Sequence, residues 1–370
     1  MPSPLQTVKN YLGTHFKITD WEAVEIIFGC AAALYCPGEM LWLRFVGASR
    51  SGKTEILKAI QKHKDSESVG YLTPSAIRGG IKKTKGHRFL ERLNGRRVIT
   101  LDISAILTTR KDMRNEVFGA LRMVKDGQFV SDFGSEEGHL KQDAKFDWIL
   151  ATTSAFEQSR VLDDQLGARF LDLWWRPADG EEMAIQAIEN NSNLETIRKG
   201  LASHVIALLS EAKKKNDGAD YLKHLDKKWL GKMADITAHL RSPVLKDRQG
   251  IVLSLPQREI GTDLGQSFQR IAGGLHLIGI DNYKPYMQRL ARDCVPSIRR
   301  KLVTMLYVLP GDKSVANLKS AIKLPESTIR RHLEDLEALE LVESKSTDYE
   351  LKAKEKIRLI FESTSKYTYP

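Results

Sequence analysis

The octapeptide Gly47-Ala48-Ser49-Arg50-Ser51-Gly52-Lys53-Thr54 matches G-x-x-x-x-G-K-[ST] without a gap, a spacing suited to holding a chain of phosphates. Its glycines let successive backbone N–H groups converge on anionic oxygens, and a helix starting at the loop's end adds positive potential. Lys53 then reaches the β- and γ-phosphates, and the Thr54 hydroxyl coordinates Mg2+. Chemistry of this kind needs a strand before the loop and a helix after it. Leu41 to Val46 is a mostly apolar, β-prone run and Glu55 to Ile60 has helical spacing, so both are expected.

A metal-side acid must stand at the end of a second strand. Val98-Ile99-Thr100-Leu101-Asp102 supplies the strand and the carboxylate, with Asp102 acting largely through water. The next residue is Ile103, not the glutamate that activates the attacking water in ATPases of this layout; Ser104 and Glu116 are the stand-ins. A third strand, Phe146 to Ala151, runs into Thr152-Thr153-Ser154, where Thr153 or Ser154 would sense the γ-phosphate or hold the water. Leu166-Gly167-Ala168-Arg169-Phe170 precedes the apolar run Leu171 to Trp175, interrupted by Asp172, which reads as a further strand with Arg169 exposed just before it.

Together these features resemble those of AAA+ ATPases, and among them the MCM-like helicases carried by phages and mobile elements, over roughly residues 40 to 180. The resemblance implies an α/β fold: a helical lead-in over residues 1–38, a P-loop core of parallel sheet flanked by helices over 39–177, a helical lid over 178–295 and a winged-helix domain and tail over 296–370. It implies ATP and Mg2+ as ligands, and hydrolysis by Lys53, Asp102 and Arg169. Arg169 would be an arginine finger inserted beside a neighbouring subunit's nucleotide, so the partners include further copies of the chain in a ring, usually a hexamer. The segment Gly127 to Lys145, with alternation around Phe129 and Phe133, reads as a β-hairpin. Relatives project such a hairpin into the ring pore, which would put Lys141 and Lys145 on DNA; Glu136 and Glu137 at the tip fit a plain surface hairpin as well. Relatives also carry a lid arginine where this chain has Asp263, leaving Arg241, Arg258 and Arg270 as substitutes.

At the carboxyl end, Ser297 to Leu309, Ser314 to Ile322 and Pro325 to Leu339 read as three helices, with Glu340 to Glu343 leading into a strand. This is the winged-helix arrangement. Ile329, Leu333, Leu336 and Leu339 share one face of the third helix, leaving Ser327, Thr328, Arg330 and Arg331 near its outward N-terminal half, where a recognition helix meets DNA. A protein-docking role, with the arginines paired to Glu334 and Asp335, is the competing reading.

Composition narrows the class. The chain has 370 residues, 42% hydrophobic and 28% charged, enough to bury a core and unlike a disordered or fibrous chain. No apolar stretch reaches the ~20 residues of a membrane span. The amino terminus lacks a secretory signal and three cysteines make a poor disulfide framework, so the expected compartment is the cytoplasm. Cys30 and Cys36 lack the partners of a zinc site and read as packing residues. The net charge of +10 favours a polyanionic partner; eight basic residues against one acid between Arg78 and Arg97 read either as a phosphate-tracking surface or as a solvated helix and loop. Two functions remain: an ATP-driven oligomeric DNA motor, such as a replicative helicase, or a nucleotide-switched DNA-binding protein with slow hydrolysis. A protein remodeller would leave the terminal module without a purpose.

Overall fold

The computed structural model describes residues 2–77, 89–103, 109–127, 129–132, 139–142, 144–154, 156, 169–215, 217–247, 249–254, 256–345, 348–352 and 354–361, with backbone only for 130–132 and 139–142. By packing, the chain divides into two compact units, residues 1–224 with 270–281, and residues 225–269 with 282–370.

The first unit is built on a five-stranded parallel sheet: β1 (Trp42–Val46), β2 (Ser66–Ser68), β3 (Arg97–Thr100), β6 (Asp147–Thr152) and β7 (Leu171–Trp174), in the order β2-β3-β6-β1-β7. β4 (Phe129–Asp132) and β5 (His139–Gln142) form a separate antiparallel hairpin. Every residue of β1, β3 and β6 is buried, as a parallel sheet covered by helices on both faces requires. Trp42, Trp148, Phe146 and Phe170 pack together in the core. The two indole N–H groups are satisfied there, Trp42 on the Phe146 carbonyl and Trp148 on the Thr100 hydroxyl.

Packing does not follow the expected domain boundaries. The helix Leu194–Lys215, expected in a lid, packs with the sheet's unit: Arg198 grips Glu55 of the helix Lys53–Gln61 with two bonds of 2.7 Å, and Tyr11 of the lead-in helix Pro4–His15 donates to the Ile197 carbonyl. These links tie the lead-in and residues beyond 177 to the core.

In the second unit, helices Ser297–Val308, Val315–Ile322 and Glu326–Ala338 are followed by the antiparallel pair β8 (Val342–Lys345) and β9 (Asp348–Leu351). The order of three helices and a hairpin follows the sequence expectation closely. Ile329, Leu333, Leu336 and Leu339 are buried, so the 3.6-residue apolar stripe sets which side of the third helix faces inward. Lys246 fastens that helix by its ion pair to Asp335 (2.9 Å) and its bond to the Arg331 carbonyl.

Two charges break the apolar strands β1 and β7, and the register makes them partners. Arg44 lies directly opposite Asp172 and bonds it at 2.5 and 3.0 Å, with its guanidinium over the Phe156 ring. Both side chains are buried, so each neutralises a charge the other could not leave alone. Replacing Arg44 by methionine should therefore cost about 3–5 kcal/mol in urea unfolding, whereas the double substitution Arg44→Leu with Asp172→Leu should recover most of that loss.

Candidate phosphate-binding site

Three parallel strands end at one edge of the sheet. β1 delivers Gly47, β6 delivers Thr153 and Ser154, and β3 delivers Asp102. The registers Val46↔Thr152 and Thr100↔Leu150 bring these ends level. Backbone bonds continue past the strands, from Gly47 N–H to the Thr152 carbonyl (3.1 Å) and from Ile103 N–H to the Ala151 carbonyl (3.2 Å). Because β6 lies between β1 and β3, Asp102 and the loop are two strand spacings apart, roughly 10 Å at the axes. That gap suits a metal and its waters better than direct contact.

The loop between β1 and the helix Lys53–Gln61 turns on two left-handed residues, Arg50 (φ +60°) and Gly52 (φ +89°). Glycine takes this conformation without cost, while at Arg50 it is strained. Gly47 answers a different demand: a Cβ there would lie 3.0 Å from Trp175 Cβ and 3.3 Å from Lys53 Cδ. Ala48, Ser49 and Arg50 are exposed, Thr54 is half-buried in the first helical turn, and the Ser51 hydroxyl donates to the Ala48 carbonyl at 2.7 Å.

Lys53 is buried, with its ammonium donating to the Gly47 carbonyl (2.7 Å), the Ala48 carbonyl (2.6 Å) and the Ser51 hydroxyl (3.2 Å). Burial pulls its pKa down to about 8, against the opposing pull of the Asp102 carboxylate. An anionic ligand would favour the charged form, so this amine is poised to gain from phosphate.

The donor set fits a hydrated Mg2+ held partly by ligand oxygens. Among the described residues no three His, Cys, Asp or Glu side chains converge to hold a metal by themselves, and Thr54 and Asp102 stand at the same edge of the sheet. Ile103 is 1% exposed and packs in the core with Val117 and Phe118, so that position faces away from the site. Of its stand-ins, Glu116 is half-buried on the helix Lys111–Lys125, and Ser104 lies outside the described residues.

Arg169 stands at the other edge of the sheet. It lies two residues before β7, whose Leu171 pairs with Leu43 and whose Trp174 pairs with Val46, so the whole length of β7 separates Arg169 from the loop's level. Its guanidinium bonds Asp126 just past the helix Lys111–Lys125, at 2.5 and 3.4 Å. The rest of its sequence box, residues 166–168, lies outside the described residues.

The structure gives the remaining candidate residues these places. Arg270 makes no site contact: both terminal nitrogens bond Asp147, at the start of β6, and the carbonyls of Glu39 and Ala33, which buries it at the far edge. Arg241 pairs with Glu259 and Arg258 with Asp235 inside the second unit. Lys145 is exposed but lies outside the hairpin, on the link into β6, where its backbone bonds Asn94 and Gly95. Lys141 is on β5 opposite Val130; the hairpin tip, with Phe133, Glu136 and Glu137, lies outside the described residues. In the basic run, Arg97 is a core residue donating to the Ala31 carbonyl and the Ser66 hydroxyl, and Arg92 and Arg96 pair with Glu67. Arg78, Lys82, Lys83, Lys85 and Arg88 lie outside the described residues. On the helix Glu326–Ala338, Ser327, Arg330 and Arg331 are exposed and Thr328 half-buried; Arg330 pairs with Glu326, not with Glu334 or Asp335. Cys30, Cys36 and Cys294 are buried thiols, and burial pushes Cys36 up to about 11.

Sequence reasoning missed Trp175, whose indole N–H donates to the Ser51 carbonyl of the loop at 2.6 Å. Its position at the end of an apolar strand run signalled only a core residue.

No family model matches this chain, and no curated protein does. Among solved structures it is similar to one described as "SCCmec type IV Cch - active helicase", at 14% identity and a TM-score of 0.41 over 91% of this chain and 52% of that one. The chain thus spans about half the length of that structure. A likeness at this level carries no inference about activity. No helix among the described residues is long and apolar enough to cross a membrane.

The state of Lys53 gives a test. Binding of a polyphosphate should weaken as pH rises past about 8, because the amine must then take up a proton on binding. In calorimetric titrations with ADP in EDTA, Asp102→Asn should move the fall to lower pH, since the Asp102 carboxylate is what raises the Lys53 pKa.

Proposed function

We propose that this protein is an ATP-hydrolysing, ring-forming DNA motor of the AAA+ kind, closest in its motifs to the MCM-like helicases of phages and mobile elements, and serving DNA replication. The supporting observation is the shared strand edge: the Gly47–Thr54 loop, Asp102 and Thr153 lie on three adjacent parallel strands, with the β6 strand between loop and acid. Lys53 and the loop N–H groups would bind the β- and γ-phosphates of ATP, Thr54 and Asp102 would hold Mg2+, and Thr153 or Ser154 would face the γ-phosphate. Bound there, Mg2+ would neutralise charge on the phosphate oxygens.

Arg169 supports an assembly. At the far edge of its own sheet it cannot reach its own loop, so as a finger it would serve a neighbouring copy. Charge on the transferring phosphoryl group would then be stabilised only when two subunits close on each other. DNA would meet Lys141 of the hairpin and, at the carboxyl end, the exposed Ser327, Arg330 and Arg331 with Thr328, on a winged-helix domain.

One observation favours a second reading. Because Ile103 is a core residue, no acid follows Asp102 to activate water, which suits a switch that binds ATP and hydrolyses it slowly.

Steady-state ATP turnover with and without single-stranded DNA separates the two. A motor should show DNA-stimulated hydrolysis that Lys53→Ala and Arg169→Ala each abolish, and mixing the two inactive variants should restore part of the activity, because mixed rings contain sites with both residues. Wild-type turnover no faster than that of Lys53→Ala, with ATP still bound, would overturn the motor in favour of the switch.

A further inference from the structure

Trp175 follows β7 directly and is 5% exposed, with its ring edge-on to Phe45 of β1. Its backbone N–H donates to the Val46 carbonyl at 2.7 Å, which extends the β7–β1 ladder to the root of the phosphate loop. Its indole N–H donates to the Ser51 carbonyl at 2.6 Å. That carbonyl belongs to the peptide unit that enters Gly52, the left-handed residue just before the helix.

A trans peptide holds its C=O and N–H on opposite sides. Anchoring the Ser51 carbonyl to an indole in the core therefore turns the Gly52 N–H the other way, away from Trp175. Glycine's freedom at position 52 would otherwise let this peptide flip, because both orientations are open to a residue without a Cβ. The same tryptophan bounds the loop's other end, since a Cβ on Gly47 would lie 3.0 Å from Trp175 Cβ.

We propose that Trp175 is a positioning residue for nucleotide: its indole N–H fixes the Ser51–Gly52 peptide so that the Gly52 N–H is presented to a phosphate oxygen before ligand arrives. This rests on the reading of the loop as an ATP site. The role is one of preorganisation, removing from the binding step the cost of choosing a peptide orientation.

The test is calorimetric titration of the full chain with Mg-ATP at pH 7 and at a temperature where every variant is folded by circular dichroism. Lys53→Ala against wild type reports on the underlying reading: affinity in the wild type that the variant loses supports it, and its absence overturns reading and proposal together. Trp175→Phe, which keeps an aromatic ring and removes the donor, should weaken binding about tenfold, in line with one lost buried hydrogen bond. Site-specific replacement of Trp175 by benzothienylalanine, which keeps the bicyclic shape with sulfur in place of N–H, should do the same should the phenylalanine variant fold poorly. Phe45→Leu removes the ring packed on Trp175 and leaves the donor; it should lower the melting temperature and change affinity less than twofold. Affinity within twofold of wild type in both Trp175 variants, or an equal loss in Phe45→Leu, would reduce Trp175 to core packing and overturn the proposal.

Discussion

The register of β6 against its neighbours is the constraint on which the rest of the first unit depends. Parallel strands have no tight turn to fix their alignment, so it must come from elsewhere. Here Asp147 does it at the entrance to β6. Its carboxylate accepts the Leu41 N–H ahead of β1 and both terminal nitrogens of Arg270, each at 2.8 Å. A slip of one residue would break these bonds and exchange the two faces of a strand that is buried on both. With that end pinned, the other ends of β1, β6 and β3 are level, and loop, polar strand end and acid share one edge.

The same constraint explains the division of labour between edges. The edge where strands end carries the exposed loop residues Ala48, Ser49 and Arg50, the hydroxyls of Thr54 and Thr153, and Asp102, a set suited to an anion and its counter-ion. The opposite edge carries Asp147, Arg270 and Arg169, in ion pairs that fasten the sheet or stand outside it. A residue's chemical type does not tell these edges apart; its place before or after a strand does.

Much of this was legible in the sequence. The gapless glycine-lysine-threonine spacing, with a β-prone run before it and helical spacing after, located the loop within its elements. Apolar periodicity gave the three helices before β8 nearly to the residue. What the sequence did not yield were facts of partnership. Arg270 and Arg97 look like available cations in a string of letters, and both are consumed by buried acceptors far away in the chain. Lys145 sits four residues from Lys141, yet the end of β5 separates them into hairpin and connector. The extent of the sheet's unit escaped for the same reason, since it depends on bonds such as Arg198 to Glu55 across 143 residues. Trp175 was hidden by its own hydrophobicity, which signals packing and says nothing of an N–H aimed at a loop carbonyl.

The Arg44 and Asp172 pair carries a consequence for descent. Because the two charges face each other across β1 and β7, a change at either position alters what the other is paired with. In an alignment of related chains the two columns should change together, either as oppositely charged pairs or as two apolar residues. Since β1 leads into the Gly47–Thr54 loop and β7 ends beside Trp175, such paired columns would mark a sheet built on this strand pairing where the loop's own spelling has diverged.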